Sequence, residues 1–229
     1  MKKFGFLAVA AALFLAPMGF CSCSMGSTTT SEMKGGLDYT QNDLTAKPFK
    51  AIDVDVVASV YYTQNNGDEC NVRLDYSAIR DDEFAQKLKE KLKVVYRDGE
   101  VKIGLTGKLK VPAMCNSEKY RLKIYITSPD LVKITQEGVG SFYAKSINSD
   151  RLEIDNEGVG SVTLDFFKGG NLKINNDGVG KVSANVDCRI LNVDLDGVGG
   201  VNLSGVTGTY TRHKDGVGSI SDKGLKVGR

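Results

Sequence analysis

The sequence predicts an all-β fold: a right-handed, single-stranded β-helix, or solenoid, of about 20-residue coils with one inserted α-helix. Three observations lead there. An acid followed by Gly-Val-Gly recurs five times, as Glu137-Gly138-Val139-Gly140, Glu157-Gly158-Val159-Gly160, Asp177-Gly178-Val179-Gly180, Asp196-Gly197-Val198-Gly199 and Asp215-Gly216-Val217-Gly218, at spacings of 20, 20, 19 and 19 residues. A near-constant period of that length means that one supersecondary unit stacks on copies of itself. Apolar residues fall into columns with period-2 spacing on both sides of the glycines, which is the pattern of strands. Gly and β-branched residues dominate the repeats, and neither favours a helix.

Residues 1–22 read as a lipoprotein-type signal peptide. Lys2 and Lys3 precede an apolar run from Phe4 to Phe20, too short for a comfortable membrane span and laid out like a secretory signal. Phe20-Cys21-Ser22-Cys23 closes the run, with Ser22 just before Cys23. The arrangement resembles a bacterial lipoprotein signal whose Cys23 becomes the lipidated first residue, although Phe20 and Cys21 replace the usual Leu and small residue. A lipid anchor on Cys23 would hold the chain to a membrane, because each buried methylene contributes about 0.8 kcal/mol. Residues 23–38 are small and hydroxylated and read as a flexible linker.

The head domain is expected over 39–229, with irregular coils and a helix in 39–130 and regular coils in 131–229. Within 39–130, Ile52 to Tyr62 has the cadence of a coil, with Ala58-Ser59-Val60 standing where later coils have Gly-Ser-Val. Strands are expected over 70–76, 94–96, 101–105 after the Asp98-Gly99 turn, and 120–127 before Pro129. A helix is expected from Asp81 to about Lys93. Phe84, Leu88 and Leu92 recur every fourth residue, acids lead and lysines follow, which suits the helix dipole.

In 131–229 the expected inward columns are Val132, Leu152, Leu172, Leu191 and Tyr210; then Ile134, Ile154, Ile174 and Val193. After the turn come Val139, Val159, Val179, Val198 and Val217; Phe142, Val162, Val182, Val201 and Ile220; and Ala144, Leu164, Ala184 and Leu203. A last inward position is read at Ile147, Phe167, Val206 and Leu225, with Val186 one residue out of step. The glycines, Gly138, Gly140, Gly158, Gly160, Gly178, Gly180, Gly197, Gly199, Gly216 and Gly218, fit a structural corner at which neighbouring coils approach closely.

The turn acids Glu137, Glu157, Asp177, Asp196 and Asp215 should form a vertical ladder whose like charges repel unless bridged or solvated. A Ca²⁺ ladder is one way to relieve this, but the nine-residue Gly-Gly-x-Gly-x-Asp period of calcium-binding solenoids is absent. The plainer expectation is that each acid accepts hydrogen bonds from the N–H groups of its own turn. No metal site, cofactor or catalytic residue is expected. Asp194 with Asp196 and Glu153 with Asp155 are i, i+2 pairs, routine on a solvent-facing strand, and the single His213 sits in the last coil with no Cys or Ser singled out beside it.

Without Lys2 and Lys3, the 28 remaining basic residues equal the 28 acidic ones. Such balance gives no electrostatic reason to bind nucleic acid. Beyond the signal lie Cys70, Cys115 and Cys188, an odd number that allows at most one disulfide. Cys70 with Cys115 is the pair chosen, set against three buried, reduced thiols.

The terminal cysteine, Phe49-x-x-Ile52-x-Val54, Asp98-Gly99-x-Val101-x-Ile103, Tyr125-Ile126-x-x-Pro129-x-Leu131 and the Gly-Val-Gly coils together resemble the family called putative auto-transporter adhesin, head GIN domain, over roughly residues 45–225. That resemblance implies an exported, often lipid-anchored β-helical domain of Gram-negative bacteria, with no family catalytic residue to carry over. The expected function is therefore a non-catalytic cell-envelope binding protein, an outer-membrane lipoprotein on the cell surface or periplasmic face. Its partners would be the membrane, through the anchor, and an extended ligand such as a glycan or protein bound along the solenoid wall. Self-association through the open end of the stack is a further expectation. A structural or envelope-stress role in the periplasm and a polysaccharide-active β-helix enzyme are the alternatives.

Overall fold

The computed structural model describes residues 24–25, 43–45 and 47–228. The signal segment, Cys23 and most of the 23–38 segment lie outside the described residues. In chain order the elements are β1 (Ser24–Met25), β2 (Asp43–Thr45), β3 (Ala51–Asp55), β4 (Ala58–Gln64), β5 (Asn71–Asp75), α1 (Asp82–Lys91), β6 (Leu92–Arg97), β7 (Glu100–Leu105) and β8 (Leu109–Lys110). Then come β9 (Leu122–Ser128), β10 (Lys133–Gln136), β11 (Val139–Ala144), β12 (Ile147–Asn156), β13 (Val159–Asn176), β14 (Val179–Leu195), β15 (Val198–Lys214) and β16 (Val217–Val227).

These strands wind into a solenoid of about five turns with coils of about 20 residues. From β10 onward each coil pairs in parallel with its neighbours, Ile134 against Ile154, Leu152 against Leu172, Val162 against Val182 and Leu172 against Leu191. Their side chains form continuous aliphatic ladders, with Ile154, Leu172, Ile174, Val182, Leu191 and Val201 fully buried. Parallel strands covered in this way read as apolar columns, as the sequence does. The shortening of the repeat from 20 to 19 residues is absorbed where the register between β13 and β14 shifts, between Leu164 and Phe167. That irregularity is why Val186 lies one residue out of step and still pairs with Phe167. In the next coil the partner of Val186 is Gly205, so Val206 does not take the inward position expected for it.

The Val of each Gly-Val-Gly faces solvent, contrary to the inward column expected. Val159, Val179 and Val198 are 50–51 % exposed and Val217 is 72 % exposed. Parity explains the correction. Counting back by twos from the buried Phe142, the inward positions are Gly140 and Gly138, and Val139 falls between them. The inward places are held by glycine because the coils touch there. A Cβ on Gly160 would lie 1.7 Å from the carbonyl oxygen of Gly140, and one on Gly180 would lie 1.7 Å from that of Gly160.

Spatial order departs from chain order at the amino-terminal end. The coil of β3 and β4 sits directly beneath that of β10 and β11, with Ser141 paired to Ser59. This bears out the equivalence read between Ala58-Ser59-Val60 and the later coils. On its other side lie β7 and β9, which come later in the chain. The chain must therefore step back over a finished coil between Ser128 and Lys133. That crossing is tied down by Tyr62 Oη to Ser128 Oγ at 3.0 Å, Gln64 Nε2 to the Pro129 carbonyl at 2.8 Å, Val132 N to the Lys50 carbonyl at 2.7 Å and Lys50 to Asp130 at 3.0 Å.

Antiparallel strands finish this end: β6 on β7, and β5 then β2 on β9. Helix α1 is capped by the Asp81 carboxylate, which accepts from Phe84 N at 2.9 Å. It lays Phe84 and Leu88 into an apolar recess with Val56, Val57, Leu109, Cys115 and Leu122. Ser24–Met25 pairs antiparallel with Leu109–Lys110 at the same end. At the opposite end, among the described residues, β16 pairs with β15 alone.

Cys70, Cys115 and Cys188 are buried and free, so the Cys70–Cys115 disulfide is not formed. Their positions account for this. Cys70 precedes β5 and its thiol lies 4.0 Å from the Phe49 carbonyl, Cys115 lies under α1, and Cys188 lies in the column of Thr207, 3.5 Å from its hydroxyl.

Replacing Gly160 with Ala is expected to destabilise the protein by about 3 kcal/mol or more, because rigid backbone occupies the added methyl's place. The Gly67→Ala control meets nothing within 4 Å and should shift stability by no more than about 0.5 kcal/mol. Urea midpoints compare the two, and similar small shifts at both sites would contradict a closed corner.

Candidate functional site

Because the coils stack in register, side chains that alternate outward along each strand align into columns running up the solenoid. Four adjacent columns make the outer wall that begins at the glycine corner and continues along β4, β9 and β11 to β16. The first holds the turn acids and the second the exposed valines. The third holds Ser141, Ser161, Lys181 and Ser219, and the fourth holds Tyr125, Tyr61, Tyr143, Thr163, Ser183 and Asn202.

The tyrosines form a ladder across three consecutive strands, β9, β4 and β11. Tyr61 and Tyr125 stack with centroids 5.3 Å apart and planes at 20°, while Tyr143 stands at 62° to Tyr61 with centroids 6.5 Å apart. Arg73 on β5 extends it, its guanidinium carbon 4.0 Å from the centre of the Tyr125 ring. At the other end the Tyr143 hydroxyl is hydrogen-bonded to Asp165. Mutual stacking covers much of the ring faces, so the ladder presents ring edges and phenol oxygens to solvent.

Arg73 also borders a shallow groove between β5 and α1, lined further by Asp75, Tyr76, Ser77, Asp82 and Lys89. The Lys89 ammonium stands 5.2 Å from the centre of the Tyr76 ring. Burial pushes the Tyr76 phenol up to about 12, so it remains a neutral hydroxyl at physiological pH. The groove and the ladder thus share Arg73 and form one strip of aromatic and cationic groups.

The acid ladder aligns as expected, but its carboxylates do not receive the turn N–H groups. Glu157 N and Gly158 N donate to the Gln136 carbonyl at 3.0 and 2.8 Å, and Val159 N donates to the Gly138 carbonyl at 3.0 Å. The coil below consumes these donors. Lysines on neighbouring columns relieve part of the repulsion: Lys102 lies 2.6 Å from Asp53 and 3.6 Å from Glu137, Lys133 lies 3.0 Å from Asp155, and Lys173 lies 2.9 Å from Glu153. The pair Glu153 and Asp155 is thereby engaged in ion pairs. Burial, and then neighbouring acids, still raise the carboxyls of Glu157 and Asp177 above their ordinary values.

In the last coils the register sets His213 opposite Asp194, and one ligand atom each from Asp194, Asp196 and His213 lies within 4.8 Å of the other two. The sequence reading paired Asp194 with Asp196 and left His213 aside, because 19 residues separate His213 from Asp194. Only the coil register shows that they meet. The tyrosine ladder is likewise hidden in the sequence, because Tyr125, Tyr61 and Tyr143 come from coils that pair out of chain order.

The sequence matches the family described as "Putative auto-transporter adhesin, head GIN domain" over residues 48–229. No curated protein sequence matches the chain. Among solved structures, a putative adhesin from Bacteroides fragilis NCTC 9343 aligns with a TM-score of 0.57 at 21 % identity, covering 78 % of this chain and 94 % of that one. A putative adhesin from Parabacteroides distasonis ATCC 8503 aligns with a TM-score of 0.67 at 19 % identity, covering 81 % and 73 %. A putative lipid binding protein from the same organism aligns with a TM-score of 0.63 at 20 % identity, covering 81 % and 74 %. At these identities the likeness is one of fold.

The Glu157→Gln variant should melt higher than the wild type at pH 7. The Glu157 carboxyl titrates higher in the folded protein than in the unfolded chain, so its ionised form costs stability. The cost is complete above the folded value and absent below the unfolded one, about 4.3. Melting curves across pH should therefore show the advantage of the variant shrinking as pH falls through the raised range, then closing. An advantage that stays constant with pH would exclude the charge as its cause.

Proposed function

We propose, since the chain belongs to the putative auto-transporter adhesin, head GIN domain family, that it is a non-catalytic, exported binding protein whose outer wall engages an extended glycan or protein. The observation that carries this is the Arg73–Tyr125–Tyr61–Tyr143 ladder, which runs perpendicular to the strands and therefore along the stack. Coils repeat every 4.8 Å or so, and a polymer laid along the axis meets a phenol edge or hydroxyl at each step. The column of exposed valines, separated from the tyrosines by the Ser141 column, adds an apolar ridge that soluble monomers rarely expose in continuous form. Rigid aromatic groups suit recognition because little side-chain entropy is lost on contact.

Tethering through lipidated Cys23, after cleavage of residues 1–22, fits this role, since it would hold the head domain to an outer membrane. The apolar run before Cys23 and the paired cysteines at its end support the anchor. Non-catalytic binding is favoured by the engagement of Glu153 and Asp155 in ion pairs, and neither lines the groove beside α1.

Cells carrying the protein should bind immobilised envelope and host glycans or matrix proteins saturably. The Tyr61→Ala and Tyr143→Ala variants should weaken that binding about tenfold or more, equivalent to 1.4 kcal/mol, while keeping the wild-type circular dichroism spectrum. Cys23→Ser should leave the purified protein able to bind while shedding it from the cells. Binding indifferent to both tyrosines would remove the wall as the site, retention of the Cys23→Ser protein on cells would remove the anchor, and depolymerisation of any polysaccharide would replace the reading with an enzyme.

A further inference from the structure

We propose that Asp194, Asp196 and His213 form a binding site for a divalent ion of the zinc type, set on the wall near the open end of the solenoid. Two carboxylates and an imidazole from adjacent coils offer one ligand atom each within 4.8 Å of one another. Mixed oxygen and imidazole donors suit Zn²⁺ better than Ca²⁺, which takes oxygen ligands alone. Bonds of about 2.0–2.2 Å in a tetrahedron need ligands about 3.4 Å apart. Asp196 is exposed and closes that gap by side-chain rotation, while Asp194 is only partly exposed.

Three further features point to a missing cation. Asp194 Oδ1 is shielded from solvent and has no hydrogen-bond partner among the described residues, a costly state for a charged group. Its neighbour in the column, Asn175, spends its amide on Asp155 at 2.6 Å and on Glu153 at 3.3 Å. The column that supplies Lys133 and Lys173 to earlier coils continues as Asn192 and Thr211, so the acids of the last coils have no lysine there. The imidazole is also oriented. Asp215 holds His213 Nε2 at 3.2 Å, which leaves the Nδ1 lone pair for an ion, in the carboxylate–histidine–metal arrangement common around bound zinc. Three protein ligands leave a fourth position open on the surface, where an oxygen of a bound partner would complete the shell.

The test is calorimetric titration of the untagged, chelator-treated mature chain with ZnCl₂, with CaCl₂ as the comparison. One equivalent of Zn²⁺ should bind, with little heat from Ca²⁺. His213→Ala and Asp194→Asn should each weaken Zn²⁺ binding by more than tenfold, since even loss of an outer partner such as Asp215 costs about 10–100-fold. Circular dichroism of both variants should match the wild type, and so should the metal-free melting of His213→Ala, because His213 is exposed and lies in the terminal coils. Absence of Zn²⁺ binding, binding that survives His213→Ala, or equal affinity for Ca²⁺ would each overturn the site.

Discussion

The contact on which the rest of the structure depends is backbone against backbone at the Gly-Val-Gly corner. Each coil there lies so close to the one below that a methyl group on Gly140, Gly160, Gly180 or Gly199 would fall within about 2 Å of a carbonyl oxygen. Approach at this distance lets the corner N–H groups reach the carbonyls of the preceding coil, so the bend costs few unpaired donors. It also fixes the register from Gly138 onward, because each coil laid on the corner below needs glycine at these places. With register fixed, the interior columns become dry aliphatic ladders, and the exterior columns of acid, valine, serine and tyrosine become continuous.

The interior is not wholly apolar. Val54, Gln136, Asn156, Asn176 and Leu195 form one column beside the corner, and its three amides are fully buried. Asn156 donates to Asn176 at 2.6 Å, whereas the Gln136 amide has no partner among the described residues. The column is bounded by Val54 and Leu195, so the space accepts apolar side chains; the amides there favour one alignment of coils over others while adding little net stability. At the amino-terminal end, antiparallel strands and α1 close the stack, which protects an edge that would otherwise pair with other chains.

Much of this was legible in the sequence because a repeat is a local signal. The period, the Leu, Ile and Phe columns, the helix with its leading acids and the equivalence of Ala58-Ser59-Val60 with later coils all follow from spacing and residue type. The valines were misread because a column three residues from Phe142 breaks strand alternation, and the glycines on either side concealed that the inward places were already taken. Interleaving of β7 and β9 beneath β3 and β4 leaves no mark in spacing, since strand pairing across long connections is decided by tertiary contacts. For the same reason Tyr125, Tyr61 and Tyr143 were not seen as neighbours, and neither were Asp194 and His213. The acids were expected to cap their own turns, an expectation that overlooked the demand of the adjacent coil for the same N–H groups.

A surface made of aligned columns is suited to linear partners, and the tyrosine strip with its adjoining groove is the part of the wall richest in groups that recognise them. The most direct test is hydroxyl-radical footprinting of the protein in its native envelope against the purified, ligand-free chain. The account requires protection at Tyr61, Tyr125 and Tyr143 and along Val159, Val179 and Val198, with Phe166 and Ile190 on the remainder of the surface labelled equally in both. Equal labelling of the tyrosines in both samples, or protection confined to Phe166 and Ile190, would contradict it.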